Sequence, residues 1–290
     1  MPNLTDLSYI RALCEKYGIR PSKGFGQNFL VNPGVCPKLC EAAGIDRDTC
    51  VLEIGPGIGT LTRELALRAK RVLSVEIDKG LLPVLHETLA GLDNVQIVQG
   101  DILKTDAPAL LREVFGEGPA VLCANLPYNI TSPVLMKLLE GRVPLENLTV
   151  MVQREAAQRL TAETGTREAG AVSYAVRYYT QPRFCFSVKP GSFYPPPKVT
   201  SAVIRLDVRK QTALPAGSSA EKQLFSLIRA GFSKRRKTLA NAAGEEMGLS
   251  KEAITGALRR CGLPENARPE ALTLEDYLRL LKTLYPTEVD

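Results

Sequence analysis

A chain of 290 residues is long enough for one large domain or two smaller ones, each with a core of its own. Hydrophobic residues make up 44% and charged residues 23%, which excludes a disordered chain. The 37 basic and 31 acidic residues leave a formal charge of +6, which permits a polyanionic partner without requiring one; with no secretory opening and no apolar run long enough to span a bilayer, the cytoplasm is the expected location.

In chain order, a segment over 1–48 precedes five short apolar runs at 50–54, 71–77, 95–99, 120–124 and 148–152. Helical patterns such as 60–69 and 80–89 lie between them, so the region predicts a parallel sheet with crossover helices. Two further runs, 183–188 and 202–208, are joined by a proline-rich stretch and predict a late antiparallel pair, for seven strands in all. Residues 209–220 have the composition of a linker. Beyond it, helical periodicity broken by Gly244, Gly248, Gly262 and Pro264 predicts a small helical domain over 221–290.

The seven cysteines contain no Cys-x-x-Cys pair, and His86 is the sole histidine. Cys36 and Cys40 are spaced to share a helical face, but two thiols without further ligands make a weak zinc pair, and no metal is expected. Reduced, buried thiols are the simpler reading. His86 has no acid or cysteine beside it and reads as a surface residue.

Glu53-Ile54-Gly55-Pro56-Gly57-Ile58-Gly59 closes the first strand and opens a helix. Glycines there let the backbone turn tightly and approach a ligand. A dinucleotide fingerprint would carry a third glycine where Thr60 stands, and a phosphate-binding loop would follow its last glycine with Lys. The spacing resembles the first motif of Rossmann-like S-adenosylmethionine methyltransferases; an ordinary tight turn is the alternative. Glu76 ends the second strand where an acid can accept hydrogen bonds from ribose hydroxyls. Asp101 ends the third, placed to accept an adenine amino group or to cap the helix that follows.

The fourth strand runs into Asn125-Leu126-Pro127-Tyr128. Proline stops the strand, so an amide, bare carbonyls and an aromatic ring are presented at the sheet edge where open α/β proteins bind ligands. The tetrapeptide is similar to the Asn/Asp-Pro-Pro-Tyr motif of amino-group methyltransferases. In such a site Asn125 and the Leu126 carbonyl would direct an exocyclic amine at a methyl donor while Tyr128 stacks on its ring. A structural turn with Tyr128 packed in the core is the alternative.

Three more segments narrow the resemblance: Lys23-Gly24-Phe25-Gly26-Gln27-Asn28-Phe29-Leu30, Phe193-Tyr194-Pro195-Pro196-Pro197-Lys198-Val199 and Phe232-Ser233-Lys234-Arg235-Arg236-Lys237-Thr238-Leu239. With Asn125–Ile130 and Gln153-Arg154-Glu155, they resemble the bacterial small-subunit rRNA adenine dimethyltransferases over nearly the whole chain. The resemblance implies a methyltransferase domain over 1–208 and a helical rRNA-binding domain over 221–290. It implies methylation of two adjacent adenosines in the 3′-terminal hairpin loop of 16S rRNA, within an immature 30S subunit. Asn28, Leu30, Gly55, Gly57, Glu76, Asp101 and Asn125 would surround S-adenosylmethionine. Pro127 would shape the catalytic turn, and Phe193 would cover the second face of the base or else pack in the core.

Lys234, Arg235, Arg236 and Lys237 would meet rRNA phosphates, although a charge run is often only a solvated helix face. Lys198 and Arg154 are weaker candidates for the same role. Lys23 with Gly24 and Gly26 suggests a segment folding over the cofactor, or a plain loop. Rival readings are a 23S rRNA adenine methyltransferase of the macrolide-resistance type, a DNA adenine or protein glutamine methyltransferase, and a non-catalytic ribosome-assembly factor.

Overall fold

The computed structural model describes residues 2–19, 27–234 and 236–286. Lys23, Gly24 and Gly26, expected to fold over a cofactor, and Arg235 of the basic run lie outside the described residues. The chain divides into two units.

The first unit spans 1–157 and 182–208. It opens with α1 (Leu7–Lys16), β1 (Phe29–Leu30) and α2 (Val35–Ala43). There follow β2 (Cys50–Ile54), α3 (Thr60–Arg68), β3 (Arg71–Glu76), α4 (Leu82–Thr88), β4 (Val95–Gln99), α5 (Ala107–Phe115) and β5 (Ala120–Asn125). Next come α6 (Thr131–Glu140), β6 (Leu145–Gln153) and α7 (Arg154–Thr161), the last crossing into the second unit. After α8 (Ala171–Tyr179) the sheet resumes with β7 (Thr180–Val188), β8 (Phe193–Tyr194) and β9 (Ser201–Val208).

Seven strands pair in the order β4-β3-β2-β5-β6-β9-β7, while β1 and β8 form a separate antiparallel pair. β2 runs parallel to β3 and β5, β3 to β4, and β5 to β6, whereas β9 is antiparallel to β6. The seven predicted strands are all present, with β6 and β7 each starting three residues earlier than their apolar runs suggest. Strands at the centre of such a sheet are covered on both faces, so they read as continuous apolar runs. Val51, Leu52, Val72, Leu73, Val121 and Leu122 are accordingly all buried. One core cluster gathers Leu39, Cys40, Leu65, Val51 and Val121; another gathers Ile10, Leu13, Phe29, Ile58 and Leu85.

Strand order reverses direction between β2 and β5, and a crevice opens outside their carboxyl ends at such a point. Glu53, Glu76, Asp101 and Asn125 are all brought to that edge by the parallel pairing.

The second unit spans 158–181 and 209–290. It holds α8 together with α9 (Ser219–Phe232), α10 (Leu239–Met247), α11 (Lys251–Arg260) and α12 (Leu274–Leu284). This boundary departs from the one read in the sequence, which left 158–181 with the sheet. The reason is aromatic packing. Tyr174 meets Phe232 and Tyr277 at ring-centroid distances of 5.4 and 5.2 Å, and Tyr178 and Tyr179 flank Phe225 at 5.0 and 5.4 Å. The Tyr174 hydroxyl also donates to the Leu272 carbonyl at 2.5 Å. Residues 209–220 are likewise packed rather than a free tether: Leu214 is buried, its N–H donates to the Tyr178 hydroxyl at 3.3 Å, and Arg209 N–H donates to the Tyr179 carbonyl. Side-chain caps start the helices: Ser218 accepts the Glu221 N–H ahead of α9, and Thr273 and Asp276 form a reciprocal box ahead of α12.

Candidate active site

A partly open cavity sits at the carboxyl ends of β2, β3, β4 and β5. Its wall includes Asn28, Leu30, Gly55, Gly57, Glu76, Asp101, Asn125 and Pro127, all expected there from the sequence. The glycines are needed. Gly55 and Gly57 have φ of +71° and +61°, where side-chain-bearing residues are strained, and a Cβ on Gly57 would only touch the Phe29 ring at 3.4 Å, so the backbone angle is what calls for glycine. The turn ends at the first residue of α3, whose opening residues Thr60 and Leu61 also line the cavity.

The Glu76 carboxylate accepts the Asp78 N–H at 2.8 Å and the Gly57 N–H at 3.4 Å, which aims it into the cavity. Burial pushes its proton affinity up, against the pull of those two N–H donors. Asp101 accepts the Leu103 N–H at 2.9 Å through one oxygen and faces the cavity as well; it holds a turn rather than capping a helix, since α5 starts only at Ala107 and is capped by Asp106. Between these acids stand Ile77, 46% exposed at the rim, and buried Ile102, apolar walls on the two loops. Gln27, held by its amide to the Asp78 carboxylate at 2.8 Å, lines the near side. Sequence reading missed Gln27, Ile77 and Ile102 as site residues, although each adjoins one that it found.

Asn125 closes β5, and its Nδ2 lies 3.5 Å from the Asn28 carbonyl. The pairing leaves its Oδ1 for an incoming donor. Leu126 is buried, with its N–H donated to Met151 of β6, so the tetrapeptide is fixed by the sheet. Tyr128 is half-buried; its hydroxyl meets the buried Ser201 Oγ of β9 at 2.7 Å, and burial raises its pKa. Neither Tyr128 nor Leu126 lines the cavity itself. Phe193 stands apart. At 3% exposure it packs in the core cluster with Leu30 and Val188, so the alternative of core packing describes its place here.

Cys36 and Cys40 do share the buried face of α2, where burial raises both thiol pKa values, that of Cys40 to about 12. His86 is exposed on α4.

In the second unit Lys234, Arg236 and Lys237 are not on a helix. They occupy the turn between α9 and α10, because α9 ends at Phe232 and the next helix starts at Leu239. Lys234 and Arg236 enter a surface cleft there, joined by Arg159, Arg167 and Arg268, with Glu168 and Glu270 as its acids. Lys237 is exposed outside the cleft wall, and Lys198, in the first unit, is exposed too. Arg159, Arg167 and Arg268 come from separate stretches of chain, and no spacing rule in the sequence could have joined them.

The sheet, its glycine turn and an acid-lined cavity beside Asn-Leu-Pro-Tyr define a Rossmann-like methyltransferase. The family model described as ribosomal RNA adenine dimethylase matches residues 20–285. The ribosomal RNA small subunit methyltransferase A of Lachnoclostridium phytofermentans is 44% identical over 283 residues, covering 97% of either chain. Among solved structures, a dimethyladenosine transferase from Plasmodium falciparum aligns with a TM-score of 0.72 at 27% identity, over 90% of this chain and 98% of that one. The 23S rRNA methyltransferase ErmE aligns with a TM-score of 0.67 at 29% identity, over 89% of this chain and 99% of that one. The chain belongs to the ribosomal RNA adenine dimethylase family.

Proposed function

We propose that this protein transfers methyl groups from S-adenosylmethionine to the N6 amines of two adjacent adenosines in the 3′-terminal hairpin loop of 16S rRNA, within an immature small subunit in the cytoplasm. The observation that carries the cofactor reading is the charge of the cavity. Glu76 and Asp101 line it, and no lysine or arginine does so among the described residues. A phosphate-bearing nucleotide is repelled by such a wall, whereas a cationic sulfonium with an adenosyl group suits it. Glu76 would hold the ribose hydroxyls, Asp101 the adenine amine, and Ile77 and Ile102 the faces of the ring. Gly55 and Gly57 would let the backbone approach, with Asn28 and Leu30 closing the near side.

When bound, the cofactor supplies an electrophilic methyl. An exocyclic adenine amine is a poor nucleophile because its lone pair is delocalised into the ring. Asn125 Oδ1 and the Leu126 carbonyl would accept its two hydrogens, turning the lone pair toward the methyl; the proton lost on nitrogen passes to solvent. Pro127 fixes the turn that presents both acceptors. Catalysis is then positioning and electrostatics, with no strong base required. For the second transfer one hydrogen remains, and either acceptor can direct it. Tyr128, tethered through Ser201, supports one face of the base. Phe193 would serve the other face only if its ring left the core.

Lys234, Arg236 and Lys237, with Arg159, Arg167 and Arg268, offer charge to RNA phosphates, and Lys198 adds an exposed cation in the first unit. Identity of 44% to the small-subunit enzyme of Lachnoclostridium, over 97% of either chain, supports 16S rRNA as the substrate. Asn125→Ala tests the assignment. Its methyl transfer to unmethylated small subunits should fall at least about a hundredfold, the scale of a lost transition-state hydrogen-bond partner, with binding to those particles retained. Normal dimethylation by that variant would remove Asn125 from the chemistry.

A further inference from the structure

Glu53 is the one acid of the cavity that the proposed chemistry does not use. Its side chain is 1% exposed, yet the residue lines the cavity beside Gly55 and Glu76. The carboxylate accepts one short hydrogen bond, from Ser74 Oγ at 2.5 Å, across the parallel pair in which Glu53 and Ser74 are register partners.

The groups that face it offer no compensating charge. Glu76 on β3 adds negative charge, and the thiols of Cys36 and Cys40 on α2 and Cys123 on β5 are neutral. On α3 the nearest charges, Glu64 and Arg68, neutralise each other in an ion pair of 2.7 Å. No basic side chain pairs with Glu53 among the described residues. A carboxylate so enclosed favours its protonated form, and burial, with a smaller push from Glu76, raises its pKa to about 7 against the pull of the Ser74 and Thr62 hydroxyls.

We propose that Glu53 links the charge state of the bound cofactor to a proton: near neutral pH and below, its carboxyl group holds a proton in a share of the free sites, loses it when S-adenosylmethionine brings its sulfonium into the cavity, and takes it back once methyl transfer leaves a neutral thioether. This rests on the cofactor reading above. The step balances. The sulfonium carbon–sulfur bond breaks and a nitrogen–carbon bond forms, the sulfonium charge is lost with the methyl, and Glu53 regains a proton from water. A unit positive charge within about 8 Å, at an effective dielectric near 20, changes a carboxyl's proton affinity on the order of tenfold or more. The consequence is discrimination: the deprotonated site favours the charged donor over the spent one.

The sign follows from the raised pKa. Above pH 7 Glu53 is already ionised and donor affinity is flat. Below pH 7 binding must expel a proton, so affinity for S-adenosylmethionine weakens as pH falls, while affinity for S-adenosylhomocysteine changes little by this route. The sulfonium makes the α-ammonium of S-adenosylmethionine more acidic than that of S-adenosylhomocysteine, so the ligands' own titration stays in the ratio and is removed by comparison with Glu53→Gln, which meets the same ligands without the carboxyl group. The test is calorimetric titration of the full-length protein with each ligand from pH 6 to 8.5, repeated at pH 7 in two buffers of different ionisation enthalpy. Relative to Glu53→Gln, the wild type should lose up to about tenfold more of its preference for S-adenosylmethionine between pH 8 and pH 6, and should release more protons on binding it. Glu53→Gln, which keeps shape and the partner hydroxyl, should show only the pH dependence that the ligands themselves bring. Equal pH dependence and equal proton release in wild type and Glu53→Gln overturn the linkage. Failure of either ligand to bind at any pH overturns the cofactor reading itself.

Discussion

The cavity of the first unit and the cleft of the second solve opposite electrostatic problems with opposite construction. The cavity is acidic, partly enclosed and built from residues at strand ends, each fixed by a neighbouring backbone N–H or by the pairing of its strand. The cleft is basic and open, and its cations are long side chains at the surface, drawn from α7, the loop before α8, the α9–α10 turn and the segment before α12. The first suits one small cation held in one orientation. The second suits a flexible polyanion that tolerates many arrangements and adds affinity rather than chemistry. Recognition of the donor and retention of the RNA are therefore expected to respond to different substitutions.

The largest separation should come from Glu76→Ala. It removes a charged acceptor in a buried wall, and such hydrogen bonds contribute about 1.5–3 kcal/mol, so donor affinity should fall roughly 10- to 100-fold in calorimetric titration. Affinity for small subunits should not change. The reciprocal change, Arg159→Glu with Arg268→Glu, should weaken particle binding by about tenfold at low salt and flatten its salt dependence, with donor affinity unchanged. If the cleft variant altered donor binding, or Glu76→Ala altered particle binding to the same degree, the two regions would not be separable in this way.

A smaller effect should follow at the turn. Tyr128→Phe deletes only the hydroxyl held by Ser201, and Ser201→Ala deletes its partner; each should cost about 1 kcal/mol, seen as roughly a fivefold rise in KM for the particle. Because both remove one hydrogen bond, the double variant should lose little more than either single one. Full additivity would show that the hydroxyl of Tyr128 and that of Ser201 act independently.

How much of this could be read in the sequence follows the same division. Glu76, Asp101 and Asn125 were legible because a parallel sheet places successive strand ends at one edge, and each of the three stands at or just past the end of a strand-like run. Gly55 and Gly57 were legible because only glycine accepts their backbone angles. Phe193 shows the limit. Its neighbours Tyr194, Pro195 and Pro196 mark a special turn, but whether the ring points out or in depends on β1 pairing with β8, a contact across more than 160 residues. The second unit was less legible again. Tyr174, Tyr178 and Tyr179 belong to it through packing against Phe225, Phe232 and Tyr277, and hydrophobic periodicity does not say which core a helix joins. Exposed arginines carry no periodic signal at all, so Arg159, Arg167 and Arg268 emerged only once the chain was folded.

The proposed activity is tested most directly by incubating the purified protein and S-adenosylmethionine with small ribosomal subunits lacking the modification, then mapping methylated positions in the 16S rRNA. The proposed function predicts four methyl groups per particle, two on each of two adjacent adenosines in the 3′-terminal hairpin loop, and none with Asn125→Ala. Methylation confined to 23S rRNA, or no transfer to any adenine while the donor still binds, would contradict it.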